Sequence, residues 1–150
     1  DNDEETIKQA QENINWLVKE HKIKNSFNIL KLDCRDLSKK IKDNSIDGVV
    51  TEPYMGPYIR KLPTLKQARE LVLELSDLYN QLMKNLRNVL KKNSRIVVVI
   101  PKFRTRENKN VFLDFETIVE KNGLSLINKP INYGYKENKL LREIYVLEKQ

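Results

Sequence analysis

The chain has 150 residues, a mass of 17.7 kDa and a formal charge of +7. With 39% apolar and 33% charged residues, and only four Gly and five Pro, it is one domain with a real core, which excludes collagen-like, linker-like and disordered readings. The surplus of cations suits a polyanionic partner such as RNA or DNA, and equally a basic soluble surface, because the densest run is only Lys39-Lys40-Ile41-Lys42.

In chain order, Ile7, Ala10, Ile14, Leu17 and Val18 recur at helical spacing and predict a helix over 4–20, with acidic residues at its start. Trp16 reads as a packing residue of that helix, and the lone His21 as a surface residue. The chain enters this helix directly from Asp1, with no Met and no leading strand, so its N-terminus is expected to be a cut edge. Residues 27–32 predict a short strand and 33–37 a loop. That loop holds the single cysteine, Cys34. It cannot form an intrachain disulfide, which fits a reducing, cytoplasmic setting, and it lacks the partners of a zinc site.

Residues 46–51 predict a second strand, and Pro53, Gly56, Pro57 and Pro63 make 52–63 a restricted loop. Thr64 with Gln67 resembles a capping box and opens a long helix to about residue 92. Arg95 to Ile100 predict a buried central strand stopped by Pro101. Its apolar run is far shorter than the roughly 20 residues of a membrane span, so no membrane partner is expected. Residues 102–110 read as a basic loop, 111–122 as a helix closed by Asn122-Gly123, and 124–128 and 141–148 as two final strands. This alternation predicts an α/β fold with a mostly parallel sheet and an antiparallel C-terminal edge. Ligands of such folds bind at the carboxyl ends of the strands, which singles out the loops at 33–37, 51–63 and 101–110.

The stretch Ile46-Asp47-Gly48-Val49-Val50-Thr51-Glu52-Pro53-Tyr54-Met55-Gly56-Pro57 resembles the fourth motif of S-adenosylmethionine-dependent amino-methyltransferases. It is most similar to the tRNA guanosine methyltransferases whose catalytic domain follows a THUMP module. There the segment reads Thr-Asp-Pro-Pro-Tyr-Gly. Thr51, Pro53 and Gly56 keep their places, whereas Glu52, Tyr54 and Met55 depart from the pattern. Asp1-Asn2-Asp3, Leu32-Asp33-Cys34-Arg35-Asp36-Leu37 and the ending Leu140 to Glu148 resemble further motifs in the same order. The resemblance implies a Rossmann-like methyltransferase fold in a single, N-terminally incomplete domain over 1–150. The first strand and the Gly-rich cofactor loop are missing, and a gap lies between the strands at 28–32 and 46–51. An upstream RNA-binding domain, or a second chain completing the sheet, is then expected.

The resemblance also implies roles. Glu52 and the Pro53 carbonyl would accept from the exocyclic amine of a nucleobase, and Tyr54 would stack on the base. Asp1, with Asp3 as competitor, would bind the cofactor ribose, and Asp33, with Cys34 beside it and Asp36 as the weaker alternative, would sit at the adenine, next to Thr51. Lys102, Arg104 and Arg106, with Arg60 and Lys61, would grip RNA phosphates. The implied activity is methylation of guanosine in tRNA by an RNA methyltransferase. A DNA or other RNA adenine amino-methyltransferase, a catalytically silent module that binds RNA or a partner, and a different nucleotide-binding α/β domain are the alternatives. The last lacks a Gly-rich phosphate loop in these residues.

Overall fold

Each longer helix starts where a side chain satisfies its first backbone amides. Asp3 accepts from the Thr6 amide at 2.7 Å and opens α1 (Glu4–His21). Thr64 accepts from the Gln67 amide at 3.2 Å while Gln67 accepts from the Thr64 amide at 2.9 Å, the reciprocal box that opens α3 (Leu65–Val89). The computed structural model describes residues 1–135 and 137–150.

Between these helices lie a short α2 (Leu37–Lys40) and β1 (Ile46–Thr51). After α3 come β2 (Leu90–Arg104), β3 (Asn110–Phe112), α4 (Phe115–Lys121), β4 (Leu124–Leu126), β5 (Ile131–Tyr133) and β6 (Leu140–Lys149). The sheet runs β1-β2-β6-β4, with β3 beside β2 and β5 beside β6. β1 and β2 are parallel, from Gly48 opposite Arg95 to Thr51 opposite Val98. β6 is antiparallel to β2, β4 and β5, and β3 to β2, so among the described residues the sheet is mixed rather than mostly parallel, and the antiparallel part reaches inward to β2.

One face of the sheet is covered by α3 and α4. Ala68, Leu75, Tyr79, Leu82, Met83 and Leu86 of α3 are buried against Ile96, Val98 and Leu147. Tyr79, Phe115 and Tyr145 meet edge to face, with ring centroids 6.2 and 5.0 Å apart. The other face keeps apolar residues in contact with solvent, Val50 among them at 84% exposed.

Several expectations are corrected. Residues 27–32 form no strand. Leu32 donates to the Asp1 carbonyl at 2.7 Å, and among the described residues no strand lies alongside to extend that contact into a ladder. The outer edge of β1 is likewise unpaired among the described residues. Trp16 is not packed: α1 buries no residue, and the indole is 62% exposed with its edge to His21.

The strand expected to stop at Pro101 continues to Arg104. β1 has ended by then, its last partner being Val98, and pairing with β3 begins only at Lys102. That edge of β2 is unpaired at Pro101, so the missing N–H removes no ladder bond there. The basic loop therefore shrinks to a turn, closed by the Thr105 amide on the Lys109 carbonyl at 2.9 Å. Residues 111 and 112 pair with β2, and the expected helix begins only after its N-cap, Asp114.

Candidate functional site

β1 ends at Thr51, and the chain then turns through Glu52, Pro53 and Tyr54 at the carboxyl end of the strand. The turn is held from below. The hydroxyl of fully buried Tyr79 donates to the Tyr54 carbonyl at 3.3 Å. Burial, reinforced by the Glu52 charge, pushes the Tyr79 phenol up and keeps it a donor. Gly56 follows with φ +94°, a conformation that favours glycine, and it lies against the Phe103 ring.

The segment 33–37, expected as a loop, is a 3-10 turn over Cys34–Asp36 that runs into α2, and it approaches from the other side. Asn85 of α3 donates to the Arg35 carbonyl at 2.8 Å and accepts from the Ser38 amide at 3.1 Å. Within the loop, Asp33 takes both Nε and Nη2 of Arg35, at 2.9 and 2.7 Å, together with the Arg35 amide at 2.8 Å. The guanidinium and that amide hold the Asp33 carboxyl well below the usual range. Burial pushes the Cys34 thiol up, so it presents a neutral, compact wall at neutral pH.

These segments enclose a cleft of about 760 Å³, of a size that suits a nucleoside-bearing ligand. Asp1, Asp33, Cys34, Thr51, Glu52, Pro53 and Tyr54 all line it. The residues expected at the cofactor or the reacting amine, the alternatives Asp3 and Asp36 apart, are thus brought to one cleft. Asp3 and Asp36 are engaged elsewhere, Asp3 as the cap of α1 and Asp36 with Lys39 at 2.8 Å. Asp1 and Asp33 supply carboxylate acceptors, and Leu30, Leu32 and Cys34 an apolar wall. This donor set fits a ligand with ribose hydroxyls and a purine ring.

Glu52 and Pro53 also line a second cleft of about 630 Å³, with Pro57, Tyr58, Lys139 and Arg142. The Glu52 carboxylate, half exposed, accepts from Nε of Arg142 at 2.9 Å. Tyr58 is 88% exposed at this mouth.

The expected phosphate-binding cations divide. Arg60, Lys61 and Arg106 line a third cleft of about 450 Å³ beside Tyr58, in which Glu70 and Glu74 also stand. Arg106 is partly committed to the loop, donating its Nε to the Leu62 carbonyl at 2.7 Å and its amide to the Pro63 carbonyl at 3.0 Å. Arg104 ends β2, and its amide donates to the Lys139 carbonyl at 3.1 Å. Lys102 is a correction. It lies inside β2 rather than in a loop, its ammonium is paired with Glu143 at 3.0 Å, and it stands over the Phe112 ring.

Sequence reasoning missed Tyr79, Asn85 and Arg142. Tyr79 was legible only as part of an apolar helix stripe. Asn85 was the one available signal, a polar residue inside that stripe. Arg142 carries no local sign of a partner 90 positions away.

Comparison with solved structures places this arrangement. A magnesium protoporphyrin IX methyltransferase from Synechocystis PCC 6803, with S-adenosylmethionine bound, superposes on 100% of this chain and 57% of its own length, with a TM-score of 0.59 at 13% identity. A S-adenosylmethionine-dependent methyltransferase from Aquifex aeolicus covers 99% of this chain and 66% of its own, with a TM-score of 0.57 at 16% identity. A protein described as a DNA modification methylase from Thermus thermophilus, complexed with S-adenosyl-L-methionine, covers 78% and 53%, with a TM-score of 0.52 at 17% identity. The chain spans about half the length of that methylase. No curated relative matches the sequence. At these identities the likeness establishes the fold, a Rossmann-like α/β architecture. The family follows from the sequence itself, whose residues 1–123 match the model of the UPF0020 family, an RMKL-like methyltransferase domain. The chain belongs to that methyltransferase family.

Proposed function

We propose that the domain transfers a methyl group from S-adenosylmethionine to an exocyclic amine of a nucleobase in RNA, with guanosine in tRNA as the target. The observation that carries this reading is the position of Glu52-Pro53-Tyr54. Glu52 and Pro53 form the wall shared by two clefts at the carboxyl end of β1, and Tyr54 lines the first of them.

The first cleft is the cofactor side. Asp1 would accept from the ribose hydroxyls, Asp33 and Cys34 would border the adenine, and Thr51 would close the floor. S-adenosylmethionine, when bound, supplies an electrophilic methyl group on a sulfonium sulfur. The second cleft is the base side. Glu52 accepts an N–H of the amine, and the Pro53 carbonyl accepts the other, so that the nitrogen lone pair is aimed across the wall. Tyr54, 62% exposed, lines the first cleft beside that wall and would offer its face to a base reaching across it, with stacking worth roughly 1–3 kcal/mol per base. Arg60, Lys61 and Arg106, with Arg104 at the end of β2, would hold backbone phosphates and fix the register of the strand.

The unpaired edge of β1 is read as completed by a further strand, from an adjoining RNA-binding polypeptide segment or from a second chain. The preference for RNA over DNA rests on the resemblance of the Thr51 to Gly56 segment to the tRNA group. The 150 residues are read as one methyltransferase domain working in a reducing, cytoplasmic setting.

The test is transfer of label from S-adenosylmethionine to bulk tRNA and, in parallel, to duplex DNA, with the polypeptide that carries this domain. Label in tRNA, recovered in methylguanosine, is the expected result. Label in DNA adenine alone would move the assignment to the second reading, a DNA amino-methyltransferase. Absence of label in both, with the cofactor bound, would contradict the nucleic-acid reading.

A further inference from the structure

We infer that Arg142 is a positioning residue for Glu52, and that the two form a pair in which the longer acidic side chain is needed; this rests on the reading of Glu52 as the acceptor of the target amine. The two residues lie 90 positions apart, at the end of β1 and near the start of β6, yet Nε of Arg142 donates to Oε1 of Glu52 at 2.9 Å. The strand between them is β2, and the residue of β2 opposite Arg142 is Pro101. The pair therefore reaches across the sheet at the place where β1 has ended.

The Arg142 backbone is fixed on both sides, opposite Pro101 on β2 and opposite Tyr133 on β5. Its guanidinium is consequently delivered from a rigid strand rather than from a loop. Glu52, by contrast, sits just past the end of β1 in a turn, and its carboxylate is half exposed. An exposed ion pair contributes little to stability. What it does here is choose the orientation of an otherwise mobile carboxylate. With Oε1 held by Arg142, Oε2 is the oxygen left to accept from the target amine.

This also gives a physical account of the departure at position 52. An Asp carboxylate is set back by one methylene, a difference on the order of the 1 Å misplacement that costs ~100-fold in a reaction needing alignment. An Asp here would fall short of the Arg142 guanidinium. Lys139, the other cation lining the second cleft, is no substitute, because its ammonium donates to the Arg60 carbonyl. Lysine at position 142 would keep the charge without the planar fork that sets direction.

The experiment is a double-mutant cycle on labelled transfer to tRNA, using the polypeptide that carries this domain. Arg142→Ala is expected to lower kcat ~10- to 100-fold with KM for S-adenosylmethionine within about two-fold of wild type. Arg142→Lys should recover part of that loss. In a Glu52→Ala background, Arg142→Ala should change kcat less than about two-fold, because its route of action is gone. A purely structural role would give additive losses and a lowered thermal midpoint. A second readout needs no substrate: the Arg142 Nε–H signal in nitrogen-15 NMR should be protected in wild type and exchange faster in Glu52→Ala. A protected signal with no transfer by wild type would sink the functional reading and the positioning role with it. Transfer by wild type with kcat unchanged in Arg142→Ala, or additive losses in the cycle, would overturn the positioning role alone.

Discussion

Tyr79 shows how much of the site depends on residues that touch no ligand. Its ring is fully buried in the core, while its hydroxyl reaches the Tyr54 carbonyl at 3.3 Å. Tyr79→Phe keeps the ring and removes that donor. It should cost about 1 kcal/mol in stability and slow methyl transfer several-fold, measured by denaturant unfolding and single-turnover label transfer. Asp33 makes a pH-dependent prediction. Its carboxyl is depressed mainly by Arg35, so the pairing stabilises the fold above the ordinary carboxylate pKa of about 4 and the contribution is lost as the pH falls below it. The gap in thermal midpoint between wild type and Asp33→Asn should be level from about pH 7 to 5 and shrink below about pH 4. A gap that widens on acidification would contradict this. At this scale the sequence was informative where a motif was local. Glu52, Pro53, Tyr54 and Asp33 could be named from the chain, whereas Arg142, Asn85 and the tie between Lys102 and Glu143 exist only after distant strands have paired.

Elements were legible in proportion to how far local chemistry decides them. Thr64 and Gln67 fixed the start of α3, and Asn122-Gly123 its counterpart at the end of α4, where Gly123 has φ +63°. Thr64→Ala should lower stability by about 1 kcal/mol, seen as a lower thermal midpoint. Gly123→Ala should cost a similar amount, because the added Cβ would lie 3.0 Å from Nε of Arg87 in a left-handed conformation. A midpoint unchanged in either variant would show that the cap concerned contributes nothing. Where partners decide, the sequence misled. Pro101 looked like the end of a strand but sits where β2 lacks a neighbour on one edge, and residues 27–32 looked like a strand but have none beside them among the described residues.

For the whole molecule, the order of elements was enough to give an α/β fold, because strand and helix periodicities differ and α3 is long and strongly amphipathic, but the expected mostly parallel sheet is a mixed one in which β1 and β2 are the parallel pair among the described residues. The extent of the antiparallel part was not legible, since the reach of β6 along β2, from Arg95 to Phe103, is a property of pairing. The fold is also unevenly consolidated. α3 and α4 share one core with β2 and β6, whereas α1 buries nothing. In hydrogen exchange, amides of α1 should exchange orders of magnitude faster than those of the buried half of α3. Equal protection would contradict the packing described here.

The central claim is that the turn after β1 performs the chemistry and the neighbouring cleft holds the methyl donor. Its most direct test compares wild type with Glu52→Ala in two measurements on the same preparation: S-adenosylmethionine affinity by calorimetry, and single-turnover transfer to tRNA. Affinity within about three-fold and transfer slowed by ~100-fold are expected, since Glu52 aligns the amine rather than holding the cofactor. Transfer at the wild-type rate in Glu52→Ala would show that the methyl group is delivered elsewhere.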